Sequence, residues 1–359
     1  MRLDSMLQHR RKEFIGEEQM HYLELKIKQN LRIIKWGLLA LKNKSNRNKL
    51  HQIYVNRIRK VFWGNENSKV WFYVIRKQSQ VEGHYSLILS FLGHLKLAQD
   101  MYCIPVIDMK CYYNELWQDK EKMSIENAWE YFYQQPGGYG VDNIQKSHHI
   151  ILGNSLDVDY YPSYRRTFDN QAEIAIWHDV YKKYIHFNDR VATEISKISL
   201  TLNGKDRIMA VSIRRGIEWG HLIHNVGFKW HCDVPSCNNI LNNVKKLMAE
   251  WKCDYIFLTI DDEEGLKLFQ NEFSSKLIYI ERERLKYFIN GIPNPNAEIS
   301  NILAEIKMEK EMKYLSEVYM MSNCEFFVGV RSSSSLAALI MRGKPYSKQF
   351  IYNDWGKLW

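Results

Sequence analysis

Residues 326–341 constrain this chain more than any other stretch. They read FFVGVRSSSSLAALIM: an apolar run reaches Gly329 and Val330, Arg331 follows, and four serines lead into helix formers from Leu336 to Met341. That order predicts a strand, a tight turn and a helix whose first turn is all hydroxyls. Free N–H groups at a helix N-terminus, with the dipole behind them, favour an anion. Serine hydroxyls and an arginine add donors suited to phosphate oxygens. A single serine there would be read as a plain N-cap beside a surface arginine. With four serines and Arg331 at the end of a strand, the cap and the phosphate site stand as equal readings.

The rest of the chain repeats the same grammar. Val70–Ile75 is strand-like after a turn at Asn65–Ser68, His84–Ala98 has helical periodicity, and Ile104–Met109 is a second short strand. His148–Leu152 is a third, and Ile174–Ile198 makes one or two helices before a linker near Leu202–Lys205. The alternation restarts with strands at Arg207–Ile213, Tyr255–Ile260 and Lys276–Ile280, and helices at Val234–Trp251, Glu263–Phe273 and Glu305–Met321. Alternating strands and helices mean α/β with parallel sheets. In 359 residues there is room for two such domains. The division expected is a basic helical extension over 1–64, a Rossmann-like domain over 65–203 and a second over 204–359, the two facing a cleft.

The formal charge of +9 calls for an anionic partner. Between His21 and Lys60 there are eleven Lys and Arg residues against one acid, Glu24. Leu23, Ile27, Leu31, Ile34, Leu38 and Leu41 recur there at helical spacing. Such a helix suits an anionic membrane surface; docked on its own domain, it would instead show a solvated basic face. No RNA- or DNA-binding signature accompanies the charge, so nucleic acid is not an expected partner. The first residues, MRLDSMLQHRRKEF, hold no apolar core of a signal peptide, and Leu31–Leu41 is too short to span a bilayer. Six scattered cysteines without zinc spacing fit reduced thiols. The location expected is cytoplasmic, peripheral on the inner membrane face if the basic helix binds lipid.

Candidate chemistry gathers at strand ends. Arg214 and Arg215 fall where a strand runs out before Gly216, and alternation sends them to opposite faces. One can meet a phosphate while the other pairs with an internal carboxylate. Asp261 and Asp262 follow the next strand, placed to contact a nucleoside, to cap the following helix or to position the arginines. Asp108 also ends a strand, where ligand-facing residues of open α/β sheets collect. Two aromatic stretches (Cys111–Trp117 and Asn127–Tyr133) suit sugar faces as well as packing, and with His84 they make Tyr113, Asn114 and Trp129 candidate acceptor contacts. The chain has no P-loop, no GxGxxG after a strand, no GxSxG elbow and no HExxH helix. P-loop ATP hydrolysis and dinucleotide redox are thus disfavoured, while two α/β domains, a diphosphate site in the second and an aromatic cleft wall in the first point to sugar transfer from a nucleotide-sugar.

At these residues the sequence resembles the fucosyltransferase-like glycosyltransferases of the two-domain GT-B fold, in their bacterial surface-polysaccharide branch related to α1,6-fucosyltransferases. GHYSLILSFLGHLKLA, IPVIDMKCYYN and NAWEYFYQQP look like that branch. VSIRRG is similar to the family's first motif, an H-x-R-R-type strand end whose arginine holds the donor β-phosphate, with Ser212 where His is frequent. FLTIDD looks like the second motif. YLSEVYMMSNCEFFVGVRSSSS looks like the third, with Glu317 as its acid and Ser332 and Ser333 as its paired serines. Gly216–Ile217 stands where the family has Thr-Asp, and the nearest acid is Glu218.

The resemblance implies an inverting, metal-independent transfer, with no cofactor beyond the GDP-sugar substrate. GDP-fucose is the expected donor and a glycan or glycolipid precursor of lipopolysaccharide or capsule the acceptor. Arg214 or Arg215, with Arg331 and Ser332 to Ser334, would hold the diphosphate. Glu218 would be the base, with Asp108 in reserve, and Glu317 would steady Arg214 or Arg215. The alternatives are another nucleotide-sugar donor on the same fold, or a non-catalytic nucleotide- or glycan-binding module.

Overall fold

The computed structural model describes residues 22–39, 41, 47, 50, 57–76, 83–110, 125–154, 161–163, 166–216, 235–295 and 304–352. They form two compact units, one from 1–161 with 183–186, the other from 162–182 with 187–359. The change of unit thus falls near residue 161, not at the linker near 203. The helical segment between belongs with the second unit: His178 Nδ1 donates to the Ile340 carbonyl at 2.8 Å, and Phe168 packs on Phe327.

The first described element of the first unit is a helix over residues 22–39, α1. Strands β1 (Arg59–Val61), β2 (Glu66–Ile75), β3 (Ile104–Ile107) and β4 (Ser147–Gly153) form a sheet in the order β1-β4-β2-β3. β2 runs parallel to β3 and β4, and β1 is antiparallel to β4 at the edge. Helix α2 (His84–Asp100) joins β2 to β3 and is buried almost all round, as expected of a helix apolar on every side. Phe72, Val74, Val106, Ile150 and Leu152 make the core on one sheet face. The turn expected at Asn65–Ser68 is instead the start of β2. Asn67 takes φ 53°, the pairing shifts between Glu66 and Trp71, and the Asn67 amide bonds Ser147 Oγ at 2.9 Å. The turn-forming residues are absorbed as a bulge rather than a chain reversal.

In the second unit α3 (Gln171–Tyr184) and α4 (Asp189–Ser199) precede a five-stranded parallel sheet. Its strands are β5 (Ile208–Ile213), β6 (Tyr255–Ile260), β7 (Leu277–Ile278), β10 (Phe326–Val330) and β11 (Lys348–Tyr352). The helices between them are α5 (Cys237–Trp251), α6 (Glu263–Phe273), α7 (Ala304–Asn323) and α8 (Ser333–Arg342). All residues of β5 and β10 are buried, which is why both read as apolar runs, interrupted in β5 only by the small Ser212. A hairpin of β8 (Phe288–Ile289) and β9 (Ile292–Pro293) turns on Asn290 and Gly291, both at positive φ.

The strand order is β11-β10-β5-β6-β7. From β5 the chain winds outward through β6 and β7 on one side, then returns to lay β10 and β11 on the other. The order therefore reverses between β5 and β10, and open α/β sheets bind ligands outside the carboxyl ends at such a switch point.

Candidate functional site at the strand ends of the second unit

Register brings three strand ends level. Gly329 pairs with Ser212 and Ile213 with Ile260, so the residues after β10, β5 and β6 emerge side by side. They are Arg331–Ser333, Arg214–Gly216 and Asp261–Asp262.

Asp261 organises the turn after β5. Its Oδ1 accepts the backbone N–H of Arg215 at 2.8 Å and its Oδ2 that of Gly216 at 3.2 Å. A Cβ at Gly216 would stand 2.8 Å from the Tyr287 hydroxyl, so a side chain there would require that ring to shift. The two arginines part company here. Arg215 goes inward, 5% exposed, with Nη1 at 3.6 Å from Asp262 Oδ2 and its guanidinium 3.8 Å from the Phe288 ring centre. Arg214 stays at the surface, 37% exposed, with Nε 3.9 Å from Asp261 Oδ2.

Asp262 is wholly buried and caps α6. Oδ2 accepts from the Gly265 N–H at 2.7 Å, and Oδ1 from that of Tyr287 at 3.1 Å. Burial pushes its carboxyl above the ordinary 3.8, while the Gly265 N–H and the Arg215 charge pull it back. Both aspartates thus hold arginines and backbone in place.

At the third end the serines are largely spoken for. Ser332 is the N-cap of α8, and it and Ser335 exchange side-chain to backbone bonds in a capping box. Ser335 Oγ also donates to the Val330 carbonyl at 2.8 Å. Ser334 Oγ lies 3.0 Å from Ser332 Oγ, with the Tyr314 hydroxyl bonded to it as well. Ser333, the first residue of α8, is the half-exposed member of the four. Arg331 is 8% exposed, ion-paired to Asp169 and stacked over Phe168.

Glu317 corrects the sequence expectation. It does not hold Arg214 or Arg215; it grips Arg282 in a two-pronged pair, Nε to Oε1 at 2.8 Å and Nη2 to Oε2 at 3.1 Å. Arg284 stands 3.6 Å from the same Oε1. Arg282 Nη2 and Arg284 Nε each donate to the Ile260 carbonyl at 3.1 Å, which fixes the end of β6 just before Asp261. All three side chains are buried. Sequence reasoning missed both arginines. The signal was an Arg-Glu-Arg run after a short strand, with an acid among the buried apolar positions of α7.

In the first unit Asp108 is buried at the end of β3 and ion-paired to Arg76 Nε at 2.6 Å. His84 opens α2 and shares a 2.8 Å bond with the Tyr133 hydroxyl. Trp129 is not a wall for a sugar: it is fully buried, stacked on Tyr133, and its indole N–H is used by the Gln134 carbonyl. Aromatic spacing cannot tell a groove from a core, and here the core took the ring. Glu218, Tyr113 and Asn114 lie outside the described residues.

Chemically, the level strand ends offer one exposed guanidinium, one half-exposed serine and the N-terminal end of α8 around the switch point. That set can bind a diphosphate. Among the described residues no group of three His, Cys, Asp or Glu side chains is arranged to hold a metal ion.

No protein-family model and no curated protein sequence matches the chain. Solved structures do. One is the NodZ α-1,6-fucosyltransferase soaked with GDP-fucose, 11% identical over 76% of this chain and 92% of that one, with a TM-score of 0.48. Another is fucosyltransferase NodZ from Bradyrhizobium, 12% identical over 74% and 90%, TM-score 0.47. A third is POFUT1 in complex with GDP, 10% identical over 80% and 99%, TM-score 0.42. These three are fucosyltransferases, and the similarity is one of fold.

Proposed function

We propose that the protein is an inverting glycosyltransferase whose donor, a nucleoside diphosphate sugar, binds at the carboxyl ends of β10, β5 and β6. The observation that carries this is the coincidence of Arg214, Ser333 and the α8 N-terminus at the point where the strand order of the second unit's sheet reverses. GDP-fucose is the donor favoured by the likeness of VSIRRG, FLTIDD and the serine turn to fucosyltransferase motifs. A hydroxyl of a surface-glycan precursor is the matching acceptor.

Transfer leaves a diphosphate with growing negative charge. Arg214, the Ser333 hydroxyl and the N–H groups opening α8 stabilise that charge in fixed positions, which is where catalysis of this step gains most. Arg215 does not reach the ligand in this scheme. It is a positioning residue, tying the β5 turn to Asp262 and to the Phe288 hairpin. Glu218, the nearest acid after the arginines, takes the acceptor proton. Asp108 is committed to Arg76 and is no longer the reserve.

The test is turnover of GDP-fucose against other nucleotide sugars, with glycan acceptors, in wild type and Glu218→Gln. The expected result is GDP-fucose-dependent transfer that survives a chelator and is abolished by Glu218→Gln without loss of GDP binding. Transfer from a different nucleotide sugar would keep the reaction and replace the donor. One observation favours a second reading, a nucleotide-binding module without turnover: Gly216–Ile217 stands where the family carries Thr-Asp, and the Tyr287 hydroxyl lies 2.8 Å from where a Cβ at Gly216 would stand. GDP binding with no turnover of any donor would establish it.

A further inference from the structure

Helix α1 has two unlike faces. One is turned inward: Leu25 is buried, Tyr22, Gln29, Ile33 and Trp36 are half-buried, and the Lys60 ammonium sits 4.8 Å over the Tyr22 ring. The opposite face carries Leu23 (58% exposed), Ile27 (51%), Leu31 (61%), Ile34 (60%) and Leu38 (63%), and Leu41 just beyond continues the row at 79%. The sequence left open whether this helix lies on an anionic membrane or docks on the domain with a solvated basic face. The structure turns the aliphatic row outward. From Leu23 to Leu38 it extends about 22 Å at the rise of an α-helix. Single exposed leucines are ordinary, but an unbroken row is the mark of a surface that meets something.

Charge decides between the two natural occupants. Lys28 and Lys35 follow Ile27 and Ile34 along one margin of the row, and Asn30 and Gly37 lie along the other. In a pair of such helices those margins face each other, and the four lysines meet only the two copies of Glu24, one turn before Lys28 on the same margin. The wider segment is equally one-sided, eleven Lys and Arg residues against Glu24. An anionic bilayer answers both features at once: acyl chains for the row, headgroups for the lysines. Among the described residues no helix is long and apolar enough to cross a membrane, so the helix would lie in the interface plane.

We propose that α1 docks the protein on an anionic lipid surface, with Leu23, Ile27, Leu31, Ile34 and Leu38 entering the acyl boundary and Lys28 and Lys35 at headgroup level. This stands independently of the sugar-transfer reading.

The test is co-sedimentation of the full chain with vesicles of phosphatidylcholine alone and of equal parts phosphatidylcholine and phosphatidylglycerol. Wild type is expected to sediment only with the anionic vesicles. The double variant Leu31→Glu, Ile34→Glu should lose at least about tenfold in partition. Lys28→Glu with Lys35→Glu should lose the preference for phosphatidylglycerol. The replaced side chains of the first variant are exposed, so its thermal midpoint should match wild type. The proposal is overturned if wild type sediments with neither vesicle, or if the Leu31/Ile34 variant binds as well as wild type. It is equally overturned if wild type is a dimer in solution that this variant converts to monomer, since a second copy would then occupy the face.

Discussion

Arg214 and Arg215 are adjacent in the chain and opposite in setting. One is over a third exposed and loosely paired to Asp261; the other is sealed between Asp262 and the Phe288 ring. Their replacement should therefore fail in different assays. Arg214→Ala removes charge-assisted bonds to a diphosphate, each worth about 1.5–3 kcal/mol. Its nucleotide affinity should fall roughly ten- to a hundredfold, with the free energy of unfolding unchanged. Arg215→Ala leaves Asp262 buried without its counter-charge and should cost about 3 kcal/mol in denaturant unfolding. Equal effects of both on stability would contradict the division of labour.

Asp262 also sets a pH signature. Its native carboxyl lies above the ordinary 3.8, chiefly through burial, so the native state holds the proton to higher pH than the unfolded chain. Stability from this group is complete below 3.8 and is lost as pH rises through the raised native value. That is the reverse of an ordinary ion-paired carboxylate. Asp262→Asn should flatten this fall when unfolding free energy is measured in steps upward from pH 3.8. An unchanged slope would show that the carboxyl does not titrate as its burial requires.

At the level of elements, the serine turn separates capping from binding. Ser335 is fully buried and bonds Ser332 and the end of β10, so Ser335→Ala should cost about 1–2 kcal/mol of stability. Ser333 is half-exposed, and Ser333→Ala should stay within about 0.5 kcal/mol while weakening nucleotide binding. Calorimetric unfolding and titration of the two variants check this together. Glu317→Ala strands two buried arginines and should cost about 3–5 kcal/mol, with the end of β6 losing amide-exchange protection first.

Much of this level was legible beforehand. Tyr255–Ile260 and Glu263–Phe273 have the bounds read from their periodicity, because a buried parallel strand is a bare apolar run and Asp262 marks the helix start. Edge strands β1 and β11 escaped, since half-exposed strands carry charged residues such as Arg59, Lys60 and Lys348. The Glu317–Arg282 and Asp169–Arg331 pairs escaped because their partners lie 35 and 162 residues apart and nothing local couples them.

On the scale of the whole molecule, two α/β units were readable from the alternation of strands and helices, but their boundary was not. Which sheet a helix joins is decided by packing such as Phe168 on Phe327, and no linker composition announces it. If the donor site lies wholly at the strand ends of the second unit, a nucleotide should protect that unit's amides from exchange and leave β2 and β4 unaffected.

The most direct test is calorimetric titration of the full chain with GDP, UDP, CDP and ADP, without metal, alongside Arg214→Ala. The account predicts GDP-selective binding that Arg214→Ala loses while remaining folded. Absence of binding by any nucleotide to the folded protein, or GDP binding indifferent to Arg214, would contradict a diphosphate site at the β5–β10 switch point.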